Sequence, residues 1–148
     1  MGTLARLLIC LTVLPTLAVA ENVQARFQVS AQVVPRASVE SIGIAPQEIR
    51  LTDLDLSRGY KDISASYRIR SNDPRGYWLR FAPRAGLTDG IEVRGLSAPV
   101  TVGDFGAEVL QAFVGRQQEY TLLFRFHLAA TARAGTYELP VLVAVATL

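Results

Sequence analysis

Cysteine is almost absent from this chain. Cys10 is the only one among 148 residues, and it sits inside an N-terminal apolar run. The rest of the chain therefore has no disulfide, no thiol nucleophile and no Cys-based metal site, even in an oxidising compartment. Histidine is as scarce, with His127 alone. A single imidazole lacks the nucleophile and orienting partner that a general base needs, and most zinc sites require several His, Cys or carboxylate ligands. No cofactor and no metal are expected. Lysine occurs once, at Lys61, so the basic residues are nearly all arginine, a usage that genome base composition accounts for. An excess of one charge sign is also missing. The formal net charge is +2, which leaves no electrostatic footprint of a nucleic-acid-binding protein. There is no sustained helical period of useful length, no internal repeat and no low-complexity tract.

Long hydrophobic runs are missing too. Leu7–Leu17 is the apolar stretch, shorter than the roughly 20 residues a membrane-spanning helix needs. Arg6 precedes it and Ala18-Val19-Ala20 follows, which together read as a secretory signal peptide over residues 1–20. The expected mature chain begins at Glu21, keeps 128 of the 148 residues and, having lost Arg6, carries a formal charge of +1. Cys10 lies within the apolar region after Ile9, whereas a lipid-bearing cysteine follows that region and a small residue. Neither a lipid anchor nor a transmembrane anchor is expected after cleavage. The location implied is periplasmic or extracellular, at the cell surface. Residues 21–148 are long enough for one domain with a sizeable core.

What is present is alternation. Tyr120, Leu122, Phe124, Phe126 and Leu128 recur at spacing two, as do Tyr137, Leu139, Val141, Val143 and Val145 after the turn-like Ala132–Thr136. Side chains in a strand point to opposite faces with that period, so both runs read as strands, together a long hairpin. Val23, Ala25, Phe27, Val29, Ala31 and Val33 alternate with polar residues in the cleanest amphipathic strand of the chain, which Pro35 ends. Further strands are expected at 37–44, 48–51, 63–69, 77–81, 91–93, 100–102 and 109–114. Asp73-Pro74-Arg75-Gly76 has the residues of a type I turn. Thr52–Tyr60 reads as a loop, or a strand bent by Gly59. Turn signals about every 8–12 residues predict an all-β fold, an immunoglobulin-like antiparallel β-sandwich of about seven to nine strands.

Few side chains form a chemical constellation. His127 alternates outward on its strand. Asp53 and Asp55 give D-x-D, but the sixth and twelfth positions of a calcium loop would be Arg58 and Ser64 instead of Gly and Glu, so both read as turn residues. An enzyme would need a carboxylate pair, such as Asp53 with Asp104, brought together by folding. Arg68, Arg70, Trp78 and Arg80 flank one turn on an expected outward face. They are either a patch for glycan stacking or an acidic partner, or arginine stems covering a tryptophan on a solvated sheet. The last strand is apolar on both faces from Val141 to Leu148, apart from Thr147. It is either doubly covered, or an edge that another chain covers by strand addition, and Pro140 fits an edge.

Two stretches carry a family likeness. Phe27-Gln28-Val29-Ser30-Ala31-Gln32-Val33 near the mature start, and Gly135-Thr136-Tyr137 with Val141, Val143 and Val145, resemble secreted pilin-like domains of the spore coat protein U and chaperone–usher fimbrial group. That group usually carries cysteines after the first strand, where this chain has Val34-Pro35-Arg36. The resemblance implies an immunoglobulin-like sandwich whose N-terminal segment can serve as donor strand to a neighbour, with the Val23–Val33 face filling the neighbour's groove. The expected function is that of an exported, non-enzymatic structural subunit or accessory of a surface assembly. Its partners would be proteins, either copies of itself or other pilin-like subunits, and not nucleic acid. The alternative is a free-standing periplasmic binding module that uses the Arg/Trp patch.

Overall fold

In the computed structural model, residues 30–43, 46–84 and 86–148 are described. The chain divides into two compact units, Met1–Gln32 and Val33–Leu148. The signal peptide, and Val23, Ala25, Phe27 and Val29 of the expected first strand, lie outside the described residues. Ala31 and Val33, from the end of that strand, are exposed and belong to no ladder.

The second unit is an all-β antiparallel sandwich, as the alternation predicts. Its ten strands are β1 (Ala37–Ile42), β2 (Glu48–Leu51), β3 (Tyr60–Ser71), β4 (Tyr77–Pro83), β5 (Thr88–Arg94), β6 (Val100–Val102), β7 (Ala107–Gln111), β8 (Gln117–Leu128), β9 (Gly135–Glu138) and β10 (Val141–Thr147). Five form one sheet in the order β1-β3-β8-β5-β6, three form another in the order β10-β4-β7, and β2 pairs with β9. Every pairing is antiparallel.

The core lies between the five- and three-stranded sheets. Leu122, Phe124 and Phe126 of β8 and Tyr67 and Ile69 of β3 face Tyr77, Leu79 and Phe81 of β4, all buried. The Phe124 ring stacks on Phe126 at 6.0 Å and meets Tyr67 and Phe81 edge-on, both at 6.3 Å. Phe81 comes from the other sheet, so this edge-to-face contact joins the two layers. The outer face of the larger sheet is a row of cross-strand ion pairs, Arg68–Glu119 and Arg125–Asp62 among them.

Three expectations are corrected. First, β8 and β10 are not the two arms of a hairpin. β8 pairs with β3 and β5, whereas β10 pairs with β4 in the other sheet. The run Tyr137–Val145 breaks at Pro140, which has no N–H to offer a ladder, and becomes β9 and β10 in different sheets. Second, the described residues alone form ten strands, one above the expected seven to nine. Third, Thr52–Tyr60 contains the helix α1 (Asp53–Arg58). The Thr52 hydroxyl accepts from the Asp55 N–H, the Asp55 carboxylate accepts from the Thr52 N–H at 2.9 Å, and Gly59 closes the helix at φ 76°. That is a capping box with a left-handed C-terminal glycine. The expected turn at Asp73–Gly76 is present, its Gly76 N–H donating to the Asp73 carbonyl at 3.1 Å. It carries the chain from the larger sheet into the smaller one.

Candidate functional site: an open seam between β1 and β10

Among the described residues β10 pairs only with β4, and β1 only with β3, so each ends its sheet on the same side of the sandwich. The two strands run alongside each other with Cα atoms within 8 Å, yet no ladder joins them. Two hollows lie along this seam. One, of about 760 Å³, is lined by the start of β1 and the end of β10, including Ala37, Val145 and Thr147. The other, of about 230 Å³, is lined by Val39, Ser41, Tyr67 and the start of β10. The start of one strand thus faces the end of the other, and β1 and β10 are antiparallel.

The side chains along the seam are apolar and incompletely covered. In the β4–β10 register Val143 lies opposite Phe81 and Val145 opposite Leu79. Phe81 and Leu79 are 1% and 0% exposed, whereas both valines are only half-buried. Val39 on β1, opposite Ile69, is half-buried in the same way. A sandwich normally buries such alternate positions from both sheets. Among the described residues the main chain of β10 on its outer side, and the side chains beneath it, have no strand paired alongside. A strand pairing with both edges needs two spacings of about 4.8 Å, so it would part β1 and β10 slightly, while pairing with β10 alone needs no opening.

Electrostatics divide the seam by its ends. Arg36, Arg70 and Arg116 stand at the Thr147 end. Arg70 reaches Glu40 at 3.8 Å. Arg36 and Arg116 have no carboxylate partner among the described residues. Asn72 ties the entering chain to this end, with its Oδ1 accepting from the Arg36 N–H at 2.6 Å and its Nδ2 donating to the Val34 carbonyl at 3.1 Å. Nearby, the Asp73 carboxylate is buried and gripped twice by Arg75, whose hydrogen bonds hold it below the usual carboxylate range. At the other end of the seam Tyr67 is buried, which pushes its phenol up.

The residues singled out in the sequence fall in different places. Arg68 and Arg70 lie on β3 in the five-stranded sheet, Trp78 and Arg80 on β4 in the three-stranded sheet. All four point away from the core, so the two pairs sit on opposite outer faces and make no common patch. The reason is the Asp73–Gly76 turn, which crosses between layers instead of closing a hairpin within one. Arg68 pairs with Glu119 and Arg80 with Glu108. His127 is exposed on β8, opposite Tyr60. Asp55 is held by Thr52 and Lys61, as a helix cap. Among the described residues no three His, Cys, Asp or Glu side chains are grouped to hold a metal ion, and no helix is long and apolar enough to cross a membrane.

Among the described residues β10 ends its sheet, as Pro140 fits, whereas its two apolar faces had left a doubly covered strand equally open. Arg36, Val39, Tyr67, Asn72 and Arg116 went unnoticed in the sequence, because each belongs to the seam only through pairing with distant strands. The exposed valines Val33 and Val34, at 72% and 59%, are the one local signal beside them. No protein-family description, curated protein or solved structure matches this chain.

Proposed function

We propose that this chain is an exported, non-enzymatic structural subunit or accessory of a bacterial surface structure, a pilin-like domain that joins its neighbours by β-strand addition. The observation that carries the reading is the seam left unfilled among the described residues: Val143 and Val145 point into the sandwich from an edge strand and are only partly buried, while their partners on β4 are fully buried. An added strand would bring main-chain pairing to the free side of β10 and lay alternate side chains over these valines. Within this chain the face formed by Val23, Ala25, Phe27, Val29, Ala31 and Val33 has the required period of two. The free-standing binding module is the weaker reading, because Arg68 and Arg70 do not share a surface with Trp78 and Arg80.

Light scattering after size exclusion tests this on the chain from Glu21 onward. We expect concentration-dependent oligomers. Val145→Arg, which places a charge in the seam, should abolish association while leaving the far-UV spectrum of the sandwich unchanged. A monomer at every concentration, with Val145→Arg behaving like the parent, would remove the proposal.

A further inference from the structure

The hollow at the Thr147 end of the seam is the size of a small-molecule site. Its volume of about 760 Å³ falls within the range such sites span. The lining divides by chemistry. Pro35, Ala37, Val145 and Ala146 make an apolar floor, while Arg36, Arg70 and Arg116 bring guanidinium groups to it. Glu40 lies 3.8 Å from Arg70, and no other carboxylate pairs with these arginines among the described residues. Ser71 also lines the hollow and is 6% exposed. Its Oγ accepts from the Asp73 N–H at 3.2 Å, and its own O–H has no acceptor among the described residues. A hydroxyl has one proton to donate, so donors and positive charge are both in excess here.

These features select one class of ligand. The donors call for an acidic head, and a carboxylate matches the planar guanidinium. A free inorganic anion would use the arginines and leave the apolar floor wet. No aromatic side chain lines the hollow, so a sugar ring has nothing to stack on. Beyond Ala37 and Val145 the lining continues as Val39 and Val143, in the next hollow along the seam. An alkyl chain running away from the arginines therefore keeps apolar contacts. We propose that this hollow binds an alkyl carboxylate, a fatty acid of medium chain length. Its head lies on Arg36 and Arg116 and its chain over Ala37, Val145 and Ala146. The site goes beyond strand addition and does not require it, since every residue it uses belongs to one copy.

Isothermal titration calorimetry tests the site on the chain from Glu21 onward. The protein is kept dilute enough to be monomeric by light scattering, and each probe below its micelle concentration. We expect dodecanoate to bind one to one. Octanoate, four methylenes shorter, should bind at least about tenfold more weakly, since each buried methylene is worth about fourfold. Dodecyltrimethylammonium, with the same chain and the opposite charge, should not bind. Arg36→Glu combined with Arg116→Glu should weaken dodecanoate at least about tenfold and leave the far-UV spectrum unchanged. Acetate or octanoate binding as tightly as dodecanoate would overturn the alkyl part of the site. Binding of the cationic probe, or no effect of the double variant, would overturn the arginine head site. No saturable binding of dodecanoate would remove the proposal. A chain that binds dodecanoate but is monomeric at every concentration would remove strand addition and leave this site standing. A chain that forms oligomers but binds no dodecanoate would do the reverse.

Discussion

Asp55 shows how one side chain can be read correctly in kind and missed in role. It is a turn residue by composition, and the structure makes it the reciprocal cap of α1. The Thr52 hydroxyl and the Lys61 ammonium hydrogen-bond its carboxylate and hold its pKa at about 2, below the ordinary 3.8. A carboxyl whose folded-state pKa lies below its unfolded value stabilises the fold above the unfolded value, and that contribution is lost as the folded value is approached from above. Stability should therefore fall between about pH 4 and pH 2, and Asp55→Asn should flatten that part of the acid-unfolding curve measured by circular dichroism. Thr52→Ala should cost about 1 kcal/mol in denaturant unfolding at neutral pH. The signal in the sequence was Thr52 three residues before Asp55, with Gly59 at the far end. A helix of six residues is too short to show a period, which is why the stretch reads as a loop.

Elements were legible as strands, less so as partners. Alternation at spacing two places β3, β4, β5, β8 and β10 within a few residues of where they stand, because the pleat is a local property. It carries no information about which strand lies alongside. β8 and β10 look like one hairpin in the sequence and belong to different sheets in the fold. The crossing depends on the turn at Gly76, which sits at φ 114° where a Cβ would run into the Gln111 carbonyl. Gly76→Ala combines a left-handed backbone with that clash and should destabilise by about 1–3 kcal/mol, read from the midpoint of urea unfolding. An unchanged midpoint would mean that the turn relaxes freely and does not set the path between sheets.

At the scale of the whole sandwich, the described residues close it by packing through most of its width and leave it open along one side. The two regions should respond differently to truncation. Leu79→Ala removes a fully buried side chain at the centre and should cost about 2–5 kcal/mol. Val145→Ala, at the neighbouring ladder position, should cost less than about 1 kcal/mol in the isolated domain, because water already reaches it. In an assembled oligomer the same valine would be covered, and its truncation should then lower oligomer stability by more than it lowers that of the monomer. Comparing the two variants by thermal unfolding, at concentrations below and above association, separates an unfilled seam from an ordinary exposed edge. Equal costs for Val145→Ala in both conditions would mean that nothing covers the seam on association.

The β class, the alternating faces of most strands and the turn at Asp73–Gly76 were decided in the linear order of residues, since each follows from contacts spanning only a few positions. The single cysteine, Cys10, and the single histidine, His127, set the available chemistry at the same level. The layer each strand joins, the separation of Arg68 and Arg70 from Trp78 and Arg80, and the seam itself were decided by tertiary pairing. β1 and β10 are about a hundred residues apart in sequence, and their being neighbours without a ladder depends on every strand laid down between them. An apolar side chain reads the same in sequence whether its neighbour is present or missing, and only the packed sandwich shows that Val143 and Val145 are incompletely covered by the described residues.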